Sequence, residues 1–297
     1  MNEPPGDPRL LVLRHWLAEH LRADRERAGL SQGAAAERLG WSASKLQRIE
    51  TAVVGISVTD TKALVDLYGM ADRQTTDSLL AMARQARRRD AFAPYRKHLT
   101  DVYQVLLSYE GSASEVWSID TVVVPGLLQV PGYARALLSL RHPAEKVAAL
   151  VDARVLRQRL LEQDGGPRFT FLLDEAPLHR RVGGPAVLLD QLAHLHRITA
   201  GSAVELRVIP LTAGEHLGLW EPFMIMEIPG SPLTDTLRET VLYREVGDSE
   251  HLIRGGDPRV AEFRAGYAAA AAQALDAPAS RSLIAELRDR LATELSA

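Results

Sequence analysis

The chain has 297 residues, 46% hydrophobic and 25% charged, with a formal net charge of −3 and no cysteine. That is enough apolar material for one large or two ordinary folded domains, and it excludes disulfides, thiol catalysis and cysteine-ligated zinc or iron–sulfur sites. No window is long and apolar enough to span a bilayer, and the opening MNEPPGDPRL lacks the basic-then-apolar signature of a secretory leader, so the expected location is cytoplasmic.

In chain order, residues 1–9 read as a loose arm. A first helix is predicted over 10–28, with Leu10, Leu13, Leu17 and Leu21 along one side and Gly29 ending it. Arg22, Arg25 and Arg27 lie near its end, within reach of phosphate or on a solvated charged face. The next stretch, LSQGAAAERLGWSASKLQRIET (30–51), reads as two short helices joined by a tight turn. Ser31 suits an N-cap. Ala34, Ala35 and Leu39 recur at helical spacing, and Gly40 closes the helix. Ser42 caps a second helix to about Glu50, with Leu46 and Ile49 on one face and Ala43, Ser44, Lys45, Gln47 and Arg48 on the other. A fourth helix is expected over 58–68, with Leu64, Val65 and Tyr68 inward, and a fifth from Asp72 to the run Arg87-Arg88-Arg89.

Two helices so arranged form a helix-turn-helix: the first crosses the DNA backbone and the second enters the major groove. Small residues at Ser42, Ala43 and Ser44 allow close approach to base edges, and Arg48 is long enough for a two-pronged contact with guanine. Gln32, Lys45 and Gln47 are placed for the backbone. The alternative is an ordinary helical hairpin in a bundle. Charge is uneven in the direction DNA requires: residues 9–89 hold 14 Lys and Arg against 9 Asp and Glu, and the remainder 21 against 29. The pattern Ser-Gln, Ala-Ala, Leu-Gly, then Ser-x-x-x-Leu-x-x-Ile-Glu resembles the repressor/Cro-type (XRE-like) family.

Composition changes after Asp90, which sets expected domains at 1–90 and 91–297. A helix is predicted over 99–109, a strand over 114–124, a turn at 127–129, and helices over 131–140 and 144–163, the second carrying Arg154, Arg157, Gln158 and Arg159. A βαβ-like passage follows: a strand at 168–175, a helix within 178–200 interrupted early by Gly183-Gly184-Pro185, and a strand at 204–210. Further strands are expected at 222–229 and 240–246, then helices over 259–274 and 280–295. The expected class is α+β overall, with an all-α five-helix repressor-type domain and an α/β domain whose small mixed sheet is flanked by helices.

Six segments of the second domain, VVPGLLQVPGYARALL, RVLRQRLLE, LLDEAPLHRRVGG, QLAHL, VELRVIPLTAGEHLG and VLYRE, occur in this order. Together with the helix-turn-helix they resemble a large family of actinobacterial regulators with a C-terminal domain of unassigned function, including WhiJ-like developmental regulators and antitoxin-like proteins. The resemblance implies transcriptional control by a dimer, a neighbouring gene for a small BldB-like partner protein, and no established catalytic residue.

Nine histidines give no HExxH and no metal-ligand spacing, and no Walker A or GxGxxG loop is present. No cofactor, metal or enzymatic activity is expected. Glu175 at a strand end, with Arg180 near, is a weak pocket candidate, because sheets of this type bind ligands at strand ends. The loop 212–220 is another, taken to expose Glu215, His216 and Trp220, or else to pack Trp220 as an anchor. Tyr243 and Glu245 share a face of the last expected strand and meet that loop or solvent. Three functional readings stay open: a DNA-binding regulator, an antitoxin-like protein that holds a small protein partner and only autoregulates, and a small-molecule-sensing repressor.

Overall fold

A computed structural model describes residues 9–70, 72–87, 90–201, 204–229, 238–246 and 249–297; Arg88, Arg89 and the arm 1–8 lie outside them. The chain forms two compact units, one taking in residues up to 94 together with 107–112, the other most of the rest.

The first unit holds five helices: α1 (Leu10–Arg27), α2 (Gln32–Arg38), α3 (Ala43–Glu50), α4 (Val58–Leu67) and α5 (Arg73–Gln85). Their boundaries follow from side-chain caps. Ser31, Ser42 and Ser57 each accept the amide three residues on, and Asp72 accepts those of Gln74 and Thr75. At the α2–α3 turn, Trp41 N–H donates to the Ala36 carbonyl at 2.8 Å and Gly40 N–H to that of Glu37 at 3.0 Å. This doubly bonded C-cap needs a left-handed residue, and Gly40 sits at φ +66°. Leu17, Leu21, Leu46, Ile49, Leu64, Leu79 and Met82 are buried among the helices. The Ser108 hydroxyl, in the segment 107–112, accepts the Val12 amide at 3.0 Å.

The second unit is built on a six-stranded mixed sheet, β1 (Glu115–Asp120), β2 (Arg168–Asp174), β3 (Val204–Ile209), β4 (Phe223–Ile228), β5 (Glu239–Val246) and β6 (Ser249–Arg254), in the order β3-β2-β1-β4-β5-β6. β1, β2 and β3 are parallel; β4, β5 and β6 are antiparallel. The flanking helices are α6 (Asp101–Ser112, its second half counted with the first unit), α7 (Pro131–Leu138), α8 (Ala144–Gln158), α9 (Ala176–His179), α10 (Pro185–Ile198), α11 (Pro258–Gln273) and α12 (Ala277–Ser296). One sheet face carries Ile119, Leu172, Ile225 and Leu242 and packs with Phe263 of α11 into a common core.

Four expectations need correction. The strand expected over 114–124 stops at Asp120, because Val124 N–H donates to the Tyr133 hydroxyl rather than to a ladder, and Val122 stands exposed. The helix over 144–163 ends at Gln158 and tightens into a 3-10 turn, Arg159–Glu162. The helix within 178–200 breaks at Gly183 and Gly184, both at positive φ, as expected, but its first piece, α9, starts earlier, at Ala176, and ends at His179. β6 was not expected at all: SEHLIR offers only Leu252 and Ile253 as apolar residues, too few for a visible alternation.

Candidate functional site

Helix α3 is held from beneath. Leu46 and Ile49 are buried, while Ser42, Ala43, Ser44, Gln47 and Arg48 are exposed along the other side. Ser42's hydroxyl accepts the Lys45 amide at 3.2 Å, so it fixes the helix start. The Arg48 guanidinium makes no hydrogen bond or ion pair among the described residues. Lys45 is held instead: its Nζ lies 3.2 Å from Asp60 Oδ1 and 3.6 Å from the centre of the Trp41 ring.

The sequence reading missed the clamp that sets this helix in place. Glu50, at the end of α3, is almost fully buried and receives both Nε (2.7 Å) and Nη2 (3.0 Å) of Arg25 from α1. Arg25 Nη1 also donates to the Leu30 carbonyl, at 2.7 Å. The hydrogen bond it donates to Glu50 pushes the Arg25 guanidinium further toward its charged form. Gln32 donates its side-chain amide to Glu50 Oε2 at 2.7 Å, so this nitrogen is engaged inside the protein. Arg25 thus belongs to the interior, and the bidentate geometry is the strong form of such a pair. The only linear signal was Ile49-Glu50 itself; its partner is 25 residues away.

In the second unit the seven weak candidates divide. Glu175 does meet the loop: its Oε2 accepts the Leu211 amide at 3.0 Å and its Oε1 lies 3.0 Å from His179 Nε2. His216 was expected to be exposed, yet its side chain is 1% exposed, with Nε2 3.3 Å from Asp174 Oδ2. The loop folds inward because Leu217 packs on α11 at Gly266, where no side chain intervenes, and Gly218 lies against Ile119. These groups therefore form a closed, hydrogen-bonded sheet end. Glu215 and Arg180 are exposed. Trp220 is 87% exposed, so it is no packing anchor, and Leu219 before it is 57% exposed.

Tyr243 is buried, while Glu245 is exposed to solvent as one of the two expectations had it; both line a cavity of about 260 Å³ on the sheet face opposite the α11 core. Strand alternation explains the separation, since neighbouring residues point to opposite faces. The floor is a row of cross-strand partners, Phe171, Ser118, Met224 and Tyr243, with Asp120 and Glu245 two residues further along their strands. Tyr243's hydroxyl donates to carboxylates of Glu245 (2.8 Å) and Glu250 (3.0 Å), and burial with these two negative neighbours pushes its phenol well above the usual range. Asp120 accepts from the Ser118 hydroxyl at 2.8 Å, and burial pushes its carboxyl up to about 7.

The roof comes from α8 and from the loop 121–130. Arg157 Nη1 donates to the Tyr103 hydroxyl at 2.8 Å, and Arg154 donates to the Gln129 side chain. Gln129 also donates to the Val124 carbonyl at 2.7 Å, while Gln191 accepts the Val130 amide and donates to the Leu128 carbonyl. The segment VVPGLLQVPGY is thus a pinned cavity wall. Arg154 and Arg157 stood one helical turn apart in the sequence, but nothing there showed that they face Asp120.

Among the described residues no group of His, Asp and Glu is arranged to hold a metal, and no helix is long and apolar enough to cross a membrane. Comparison with sequence families matches residues 16–79 to a helix-turn-helix domain and residues 103–286 to a family described as a domain of unknown function (DUF5753). No curated protein and no solved structure matches the chain. The helix-turn-helix match supports a DNA-binding regulator.

Proposed function

Because the chain belongs to the DUF5753 family and carries a helix-turn-helix domain ahead of that region, we propose that it is a cytoplasmic XRE-type transcription regulator that reads its operator as a homodimer. Residues 1–90 act as the DNA-binding domain and 91–297 as the signal- or partner-sensing domain. The observation that carries this reading is α3: a short helix clamped by a buried Arg25–Glu50 pair, with small residues at its exposed start and the unpaired guanidinium of Arg48 one turn on. Ser42, Ala43, Ser44 and Arg48 read bases. Gln32, Lys45 and Gln47 position the backbone, Gln32 through its remaining amide groups and Lys45 by exchanging Asp60 for phosphate.

One such domain covers a half-site, so a dimer on a two-fold symmetric operator is the expected arrangement. The test is selection of fragmented host DNA on the full-length protein beside Arg48→Ala. A short symmetric motif enriched only by the wild type supports the reading; equal enrichment by both proteins, or none, overturns it. A second reading, an antitoxin-like protein holding a small protein partner, is favoured by the adjacent exposed apolar residues Leu219 and Trp220. Trp220→Ser abolishing co-purification of a small partner supports that reading, and retention of the partner counts against it.

A further inference from the structure

The cavity of the second unit has an unusual charge balance. Asp120 and Glu245 on its floor and Arg154 in its roof are hydrogen-bonded only to neutral groups: Ser118, Tyr243 and Gln129. None of the three is in an ion pair among the described residues. Asp120 and Arg154 are half-buried beside this largely apolar space, while Glu245 is exposed; a charge partly withdrawn from water is stabilised by an opposite one. The apolar lining is formed by Phe171 and Met224 of the floor and by Leu106, Leu127 and Leu137. At about 260 Å³ the space is just below the ~300 Å³ lower end of drug-sized pockets. It suits one molecule the size of a large amino acid.

We propose that this cavity binds a compact amphipathic zwitterion of amino-acid size, its ammonium on the Asp120–Glu245 floor, its acid group under Arg154 and Arg157, and its apolar body between them. Such a ligand places an opposite charge in contact with Asp120 and with Arg154, neither of which has an ion-pair partner among the described residues. It also gives the pinned loop 121–130 a purpose, because that loop closes the cavity and holds Arg154 through Gln129. The inference deepens the sensing part of the proposed function, but binding is measured without DNA, so either one stands or fails without the other.

The experiment is isothermal titration of the full-length protein with L-tryptophan, L-phenylalanine and L-leucine, beside analogues that keep only one charge, such as tryptamine and indole-3-propionate. Binding of at least one zwitterion, with its single-charge analogues weaker by about tenfold or more, is expected from loss of one charged hydrogen bond. Asp120→Asn should bring the zwitterion down to the affinity of its acid-only analogue, and Arg154→Gln down to that of its amine-only analogue. Circular dichroism checks that both variants fold; if either does not, the wild-type analogue series decides alone. No binding by any of the zwitterions, or equal binding by the single-charge analogues, overturns the proposal. So does unchanged affinity in a folded Asp120→Asn protein.

Discussion

Arg48 and Glu50 lie two residues apart on one helix and do opposite work. Arg48 is exposed and unpaired, and replacing it with Ala should weaken specific binding by about 1–3 kcal/mol, the loss of one good base contact. A titration against the selected operator at fixed salt checks this, and an unchanged constant would mean that another side chain reads that base. Glu50 is buried, and Glu50→Ala leaves the Arg25 charge without its partner. Breaking a buried pair from one side costs about 3–5 kcal/mol, so the variant should lose thermal stability and, through it, all DNA binding rather than sequence preference. Asp120 gives a pH signature. Its carboxyl is raised from 3.8 to about 7 by burial, so across that window the folded state keeps a proton that the unfolded chain has lost. Its contribution therefore makes stability fall as pH rises from about 4 to 7 and level off above. Ser118 and Arg157 favour the charged form and Glu245 opposes it. Asp120→Asn should flatten this slope and raise stability at pH 8 by at most about 4 kcal/mol, read from urea melts at pH 5 and pH 8.

The elements divide by how local their causes are. Helices α1 to α5 were legible because Ser31, Ser42, Ser57 and Asp72 cap within three residues and leucines recur at helical spacing. The strands β2, β3 and β4 were legible as short apolar runs. β6 was not, since an edge strand with four polar positions earns its place from β5 rather than from its own residues. The Val122–Val124 run misled in the other direction: β-branched residues favour strands only where a neighbouring strand is offered, and here Tyr133 takes the amide. Gly266 is a further case. In an exposed helix Ala is favoured over Gly by about 1 kcal/mol, yet a methyl group there would come within 3.1 Å of Leu217 Cβ and closer still to its Cδ2. Gly266→Ala should thus destabilise by up to about 2 kcal/mol net, the usual cost of overpacking less the helix gain. A rise in melting temperature would show that Leu217 swings aside freely.

For the whole molecule, charge is distributed by task. The residues 9–89 carry the basic excess and the remainder the acidic one, which keeps phosphate attraction at one end of the chain. A dimer reading two half-sites should protect operator DNA in two patches about 34–36 Å apart, one helical turn centre to centre. Footprinting on the selected motif tests this, and a single protected patch would contradict the dimer. Affinity should also fall steeply with salt, since neutralised phosphates release counterions.

Caps, helical periodicity and short apolar runs act over three to eight residues, so most of the elements other than β6, the helix-turn-helix and its exposed face were already written in the linear chain. The Arg25–Glu50–Gln32 clamp spans 25 residues, and the cavity gathers Tyr103, Asp120, Arg154, Tyr243 and Glu245 from five segments. Which charges pair, and which face an empty space, depends on sheet order and on the face each strand turns to its neighbours. Both are settled only when the strands pair, and they put Tyr243 and Glu245 beside Asp120 and Ser118 in one cavity.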